Sequence, residues 1–417
     1  MSNAEEQTRA EVQANVMSAG VAVARRRRVL IIVENLPLPF DRRVWQEART
    51  LHAHGYQVSI ICPKGKGYEK SFEELDGVAI YRHSMPFEAD GAMGYALEYS
   101  WALAAEFALS LKIFFTRGFD VIHGCNPPDM IFLIGAFYKL FGKKFLFDHH
   151  DINPELYEAK FQRRDVFYKL MLALERWTFR TADVCVATNE SYRKIAIERG
   201  RRPPNKVFVV RSGPDLRRLK VLPPQPELKQ GRKYLVGYVG VMGRQEGIDG
   251  LLTAVRHIVH EMGRTDIHFG LVGGGTELDA MRKLAQELQV AEYVTFTGRV
   301  PDAELLAMLN TADVCVNPDV ANEMNDKSTM NKIMEYMALG KPIVQYDLTE
   351  GRVSAQQASL YARRNDPIDM AKQIVTLLDD EPRRKQMGEW GRERVKNSLA
   401  WEHEVPRLLA AYDMLFN

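Results

Sequence analysis

At 417 residues the chain is too long for one compact domain of ordinary size and long enough for two, each with its own core. Hydrophobic residues at 46% and charged residues at 26% exclude a disordered chain. A formal net charge of +2 gives no general electrostatic draw to nucleic acid, so none is expected as a partner.

Residues 1–24 are polar and Ala-rich and read as a mobile tail. The basic run at 25–28 directly precedes a strand, unlike a secretory signal, which places charge before a longer apolar stretch and a cleavage site. No apolar run reaches the ~20 residues that span a bilayer; residues 130–141 come nearest and are interrupted by Lys139. Cys62, Cys125, Cys185 and Cys315 are dispersed, without CxxC pairing, and read as buried thiols in a reducing compartment. The expected location is the cytoplasm.

From residue 25 to 213, short β-branched runs alternate with helical patterns. Strands are expected at 29–33, 56–62, 121–123, 144–148, 184–187 and 207–210, with helices at 42–54, 130–141 and 165–181. Asp41 is placed to cap the first helix and Gly55 to end it. Residues 214–233, with Pro214, Pro223, Pro224 and Pro226 among many charges, read as an interdomain linker. The same grammar restarts at 234–400. Strands are expected at 235–239, 268–272, 294–297, 314–316 and 343–346, with helices at 248–262 and from 276 through Leu288. The hexapeptide Thr-Ala-Asp-Val-Cys-Val occurs at 181–186 and again at 311–316, which favours two halves of one architecture. An amphipathic helix over 401–417 is expected to pack back on the N-terminal domain. The fold class is therefore α/β: two Rossmann-like, doubly wound domains facing a central cleft. Ligands of such sheets lie beyond the carboxyl ends of the strands, which directs attention to the loops there.

The polar loop Asn325-Asp-Lys327-Ser328-Thr329-Met330-Asn331 leads into an amphipathic helix ended by Gly340 and Pro342. With Ser328 or Thr329 as cap, the free N–H groups near Met330 and Asn331 would form an anion site suited to a pyrophosphate. Lys327 would add a point charge, and Glu335, two turns on, could accept hydrogen bonds from ribose hydroxyls. An ordinary capped helix with a solvated Glu is the competing reading. The second constellation is Asp148-His149-His150-Asp151, four titratable residues after an apolar strand, expected at the cleft. Zinc through His149 and His150 finds no third ligand at a recognisable spacing, and no metal is expected. No Gly-x-Gly-x-x-Gly follows the first strand and there is no GxxxxGK[ST], which argues against dinucleotide and P-loop enzymes. No Asp-x-Asp offers carboxylates for a diphosphate-bound cation.

The run Glu335-Tyr-Met-Ala-Leu-Gly-Lys-Pro-Ile-Val resembles the donor-site helix of retaining GT-B glycosyltransferases, the GT4-like group. The likeness extends to Asp41-Arg-Arg-Val-Trp-Gln-Glu-Ala-Arg-Thr-Leu, His123-Gly-Cys-Asn126, Gly237-Tyr-Val-Gly-Val-Met-Gly-Arg244, Leu271-Val-Gly-Gly-Gly275 and Gly298-Arg-Val-Pro301. It implies a GT-B fold and metal-independent transfer of a sugar from a nucleotide sugar to a glycan or lipid-linked acceptor in surface polysaccharide or lipid-linked glycan assembly. The nucleotide sugar is a substrate, and no cofactor is implied. Carried over, the resemblance puts the donor on Gly240, Met242, Gly243, Arg244, Gly273, Gly274, Arg299, Val300, Lys327, Ser328, Thr329, Met330, Asn331 and Glu335. It puts His150 at the donor sugar near the reacting centre, and Phe40, Asp41, Arg42, His123, Asn126 and His149 on the acceptor side; Asp151, grouped with His150 as catalytic, is read as orienting it or binding the acceptor.

Three departures stand out. Lys327 occupies the position of the family's first Glu. Val241 and Glu246 stand where an Arg and a Lys usually hold the pyrophosphate, so Lys327 and Arg244 are expected to substitute. Leu36-Pro-Leu-Pro-Phe40 replaces a Gly-Gly turn, giving a stiffer, more apolar acceptor loop. Residues 95–115 and 161–180 mix aromatic, aliphatic and basic side chains and are expected first to pack on their own sheet; peripheral contact with the inner membrane face is the alternative. Two other functions stay open: a sugar-nucleotide epimerase on the same fold, and a non-catalytic transferase-like subunit.

Overall fold

The computed structural model describes residues 26–85 and 91–416, without the side chains of residues 91–93, 95 and 96; the expected tail over 1–24 lies outside the described residues. The β-branched runs form two sheets. The first contains β1 (Arg28–Ile32), β2 (Gln57–Pro63), β3 (Phe72–Leu75), β4 (Val78–His83), β5 (Val121–Cys125), β6 (Lys144–His149), β7 (Val184–Ala187) and β8 (Val207–Val209). Their order is β3-β4-β2-β1-β5-β6-β7-β8, parallel except for β3. The second contains β9 (Tyr234–Val239), β10 (Ile267–Val272), β11 (Val294–Gly298), β12 (Val314–Asn317), β13 (Ile343–Tyr346) and β14 (Ser359–Ala362), all parallel, in the order β11-β10-β9-β12-β13-β14.

The order reverses between β1 and β5 in the first sheet and between β9 and β12 in the second. At such switch points the loops part and leave a crevice. The loops concerned are residues 33–41, 126–131, 240–247 and 318–330, which carry half of the candidate site residues. The edge hairpin β3–β4, not foreseen from pattern, turns through Asp76-Gly77, both at positive φ (50° and 78°), as a two-residue hairpin turn requires.

Helices cover both faces. In the N-terminal domain they are α1 (Arg42–Ala53), α2 (Gly91–Thr116), α3 (Phe132–Lys139), α4 (Asn153–Phe161), α5 (Val166–Thr181) and α6 (Glu190–Glu198). In the C-terminal domain they are α7 (Ile248–Arg256), α8 (Leu278–Glu287), α9 (Asp302–Thr311), α10 (Glu323–Lys327), α11 (Asn331–Ala338), α12 (Thr349–Ala355), α13 (Pro367–Asp379) and α14 (Glu381–Arg394). The repeated hexapeptide does the same work in each domain. Asp183 accepts from the Phe145 N–H at 2.9 Å and pairs with Lys139. Asp313 accepts from the Leu235 N–H at 2.8 Å and pairs with Lys229. In both, a carboxylate tethers the entry of one strand to the start of its neighbour.

The last helix, α15 (Trp401–Phe416), leaves the C-terminal domain and packs on the first sheet. Leu408, Ala411, Tyr412 and Leu415 are buried against Val29, Ile31, Val58, Leu146 and Val186. Each buried Leu or aromatic contributes roughly 1.5–3 kcal/mol, so the helix is an integral part of the N-terminal core. The chain thus crosses between domains twice. The crossings touch: a Cβ on Gly213 would lie 2.7 Å from the Leu399 carbonyl oxygen, so only glycine fits there.

Candidate active site

Strand alternation fixes the N-terminal half of the site. Along β6, Phe145, Phe147 and His149 face one side and Leu146 and Asp148 the other. Asp148 therefore meets α1. Arg43 Nη2 donates to its Oδ1 at 2.9 Å, and Arg43 also reaches the Val210 carbonyl at 2.8 Å and Glu47 at 3.1 Å. The chain then turns, and His150 Nε2 returns to Asp148 Oδ2 at 2.5 Å. Burial alone would raise the Asp148 carboxyl, but Arg43 and His150 override it and hold the group well below the usual carboxylate range. His150 is thus oriented by an ionised carboxylate, and its side chain keeps some exposure (13%) while Asp148 is fully enclosed. Burial pushes the neighbouring Asp151 carboxyl up, against the pull of His150.

Asn126 sets this loop. Its Oδ1 accepts from the His150 and Asp151 N–H groups at 2.7 and 3.2 Å, and its Nδ2 donates to the Asp151 carbonyl and to Asp129. His123 lies beneath, fully buried, with Nδ1 2.8 Å from the Tyr412 hydroxyl and Nε2 3.3 Å from Asp148. It braces Asp148 and does not line an acceptor pocket, which corrects the expectation for it. His149 is corrected too. Alternation turns it into the core, where it packs on Phe147, Phe179 and Tyr192, and burial drives it down to about 3. His149 and His150 face opposite ways, so they cannot share a metal. The clusters of His123, Cys125 and Asp148 and of Glu47, Asp148 and His150 have donor spacing for a cation, but the Arg43 guanidinium already pairs with Glu47 and Asp148.

Across the cleft, the loops after β9 and β10 interlock. The Gly240 N–H bonds the Val272 carbonyl, the Met242 N–H bonds the Gly274 carbonyl, and the Gly243 N–H donates to Glu246. A Cβ on Gly273 would lie 1.8 Å from the Gly240 carbonyl oxygen, so the approach demands glycine. Met242 offers only backbone here, because its side chain is wholly buried in the core. Val300 likewise packs partly into the core. Arg299 stacks over Phe40 of the opposite domain at 4.1 Å. Asp41 caps α1 through the Val44 N–H.

The start of α11 differs from expectation in an informative way. Its cap is Met330, with no side-chain hydrogen bond. Ser328 instead bonds the Met324 carbonyl and the Tyr192 hydroxyl, and Thr329 accepts from Asn189 Nδ2, Tyr192 and Asn189 belonging to the N-terminal domain. No side chain caps the N–H groups at Asn331 and beyond. Lys332, overlooked in the sequence, supplies the cation beside this loop. Its Nζ is 2.7 Å from Asp319, 5.0 Å from the Tyr238 ring centroid, and 3.5 Å from where a Gly240 Cβ would stand. The two expected cations lie elsewhere: Arg244 is 83% exposed beside Glu277, and Lys327 is drawn to Glu323 at 2.6 Å and Glu155 at 3.7 Å. Glu335 is bound by Arg42 at 3.1 Å and by Arg218, and both arginines also reach Asp302. Arg218 lies in the segment read as a linker, which also carries a turn of 3-10 helix at Pro226–Lys229.

Two parallel-sheet domains joined by a double crossing and facing a common cleft define the GT-B architecture. The chain belongs to the group 1 and family 4 glycosyltransferases: residues 41–218 match Glycosyltransferase Family 4 and residues 233–380 match Glycosyl transferases group 1. It is 26% identical over 259 residues to 2-deoxystreptamine glucosyltransferase of Streptomyces kanamyceticus, a match covering 59% of this chain and 64% of that one. It is 30% identical over 168 residues to a GDP-mannose-dependent alpha-(1-6)-phosphatidylinositol monomannoside mannosyltransferase of Mycobacterium tuberculosis, covering 39% and 43%. The matches thus span less than two thirds of these relatives' own length. Among solved structures, sucrose-phosphate synthase from Thermosynechococcus elongatus superposes with a TM-score of 0.76 at 20% identity, covering 94% of this chain and 99% of that one. Anabaena Alr3699/HepE, solved with UDP-glucose, superposes with a TM-score of 0.71 at 13% identity, covering 93% and 100%. Among the described residues, no helix is long and apolar enough to cross a membrane.

Proposed function

We propose that this chain transfers a sugar, with retention, from a nucleoside-diphosphate sugar to an acceptor hydroxyl, without a metal on the diphosphate. The observation that carries this is the grouping at α11: a helix start without a side-chain cap, the largely enclosed Lys332 ammonium beside it and Glu335 about one turn along. The helix N-terminus and Lys332 take the diphosphate, and Glu335 exchanges its arginines for ribose hydroxyls. As the acceptor hydroxyl attacks the anomeric carbon from the face the diphosphate leaves, those fixed positive groups stabilise the departing charge. His150, held by Asp148, contacts the donor sugar from the opposite domain, and domain closure supplies proximity. The nucleotide sugars in the printed names of its relatives, GDP-mannose for the M. tuberculosis enzyme and UDP-glucose with the Anabaena protein, support the donor class.

An apolar cavity of about 210 Å³, lined by Tyr99, Leu156, Phe161, Phe167 and Leu174 with Asp129 and Asn153 at its polar end, supports a lipid-linked acceptor. Asp129 bonds Asn126, the residue that sets the His150 loop. The outer face of α5 exposes Val166, Leu170 and Trp177 among Lys169, Arg176 and Arg180, as peripheral contact with an anionic inner membrane face requires. A cytoplasmic enzyme touching that surface fits both features.

A thermal-shift panel of nucleotide sugars tests the donor reading. A donor at 100 times its Kd stabilises by about 2.7 kcal/mol, and no shift with any donor contradicts it. Flotation with anionic vesicles tests the membrane contact, which fails if the protein stays at the bottom of the gradient.

A further inference from the structure

Among the described residues seven glutamates are buried: Glu34, Glu47, Glu106, Glu155, Glu175, Glu350 and Glu404. Five have an arginine: Glu47 has Arg43, Glu155 and Glu175 share Arg199, Glu350 has Arg211 and Glu404 has Arg407. Among the described residues, Glu34 and Glu106 have no cationic side chain paired with them. A carboxylate in a low-dielectric interior must be neutralised by a cation or by a proton.

The fold brings these two together with His83. Glu34 follows β1 on the face of Leu30 and Ile32, His83 ends β4 on the face of Tyr81, and Glu106 projects from α2, which covers that face. Arg82 alternates to the other side, where it bonds the Leu38 carbonyl and Glu73, so it cannot serve. His83 Nε2 lies 3.6 Å from Glu34 Oε2, and one ligand atom from each of the three residues lies within 4.8 Å of the others. Neither His83 nitrogen has a hydrogen-bond partner, and the Glu106 oxygens and Glu34 Oε2 find none beyond each other.

We propose that Glu34, His83 and Glu106 bind a divalent cation. An ion about 2.0–2.2 Å from tetrahedral ligands places ligand atoms about 3.3–3.6 Å apart, so the cluster is close to ready. Two carboxylate oxygens and one imidazole suit Zn2+ or Mn2+ better than the softer or all-oxygen metals. The ion ties β1 and β4 to α2, whose Tyr99 and Ser100 line the apolar cavity. The ligands belong to the first sheet and its covering helix, whereas Lys332 and Glu335 belong to the other domain, so the ion is distinct from any on the diphosphate.

The test is metal analysis of the full chain purified without chelator, then calorimetric titration of the chelator-treated protein with Zn2+ and with Mn2+. The expected result is one equivalent of one of these ions. Glu106→Gln should weaken it at least 100-fold, and chelator should lower the Tm of the wild type only. The double variant Glu34→Gln/Glu106→Gln removes both charges, and so should fold without metal and ignore chelator. Donor binding is read in parallel and should survive in both variants, so loss of the cation site and loss of the donor reading are told apart. Absence of tight binding to the wild type, or equal binding to the double variant, overturns the proposal and leaves two carboxyls sharing a proton.

Discussion

Arg42 and Glu335 meet across the cleft, with guanidinium Nη1 3.1 Å from carboxylate Oε1, although 293 residues separate them in sequence. The contact joins the start of α1 to α11, the helix proposed to take the donor. Arg42 is 44% exposed, so the pair is worth at most about 1 kcal/mol of stability. Its weight therefore falls on closure and donor exchange. Arg42→Ala should leave Tm nearly unchanged and, by removing one competitor for Glu335, lower donor KM severalfold. Glu335→Gln should weaken donor binding by roughly tenfold, as loss of a charged acceptor does. Melting curves beside donor titrations check both. An Arg42→Ala protein that melts far below the wild type contradicts the first, and unchanged donor affinity in Glu335→Gln contradicts the second.

Arg43 stands one residue away and behaves oppositely. It is buried and pairs with both Asp148 and Glu47, of which burial pushes the Glu47 carboxyl up while Asp148 is held ionised. Arg43→Met strands the buried Asp148 carboxylate and should cost about 3–5 kcal/mol. The folded Asp148 group lies well below its unfolded value near 3.8. Its contribution is therefore complete above that value and is lost only as pH falls through the lower, folded one. Urea unfolding should show the full Arg43→Met deficit at neutral pH and a smaller one near pH 4, where the stranded carboxyl takes up a proton; a deficit under 1 kcal/mol at neutral pH contradicts the assignment.

Lys332 and Asp319 can be removed together. Lys332→Met/Asp319→Asn deletes both buried charges at once and so spares the fold the penalty of either alone. The double variant should bind nucleoside diphosphates about 100-fold more weakly while binding the nucleoside as before. Calorimetry with the two ligand series checks this, and equal losses for both would mean a purely structural ion pair.

Asp129 offers a pH test with a fixed sign. Burial raises its carboxyl to about 6, against the hydrogen bonds from Asn153 and Asn126. The folded value lies above the unfolded 3.8, so its stability is fully present below that value and is lost as pH rises through about 6. Wild type should therefore lose roughly 3 kcal/mol relative to Asp129→Asn between pH 3.8 and pH 7. Paired urea titrations across that range measure it, and a flat difference contradicts it.

Much of the fold was readable from pattern because buried parallel strands are dense in β-branched residues. The strands at 184–187 and 343–346 and the helix Trp401–Phe416 have the expected bounds. The edges were not: β3 is polar and short, and β14 carries no strong run. The site loops were found because they follow strands. Individual side chains failed where one residue of alternation decides the face, as at His149, or where the partner is remote. His123 meets Tyr412 289 positions away. Lys332 reads as a helix-surface lysine until Asp319, in the loop after β12, is seen beside it. Ser328 and Thr329 have the chemistry of caps, but the opposite domain claims their hydroxyls.

The central claim is donor chemistry in a closed cleft, and the most direct measurement is nucleoside diphosphate release from a panel of nucleotide sugars by the full chain and by His150→Ala. Wild type should release nucleoside diphosphate from at least one donor, and His150→Ala should do so at least 100-fold more slowly while still binding it. No release from any donor, or an equally fast His150→Ala, contradicts the account.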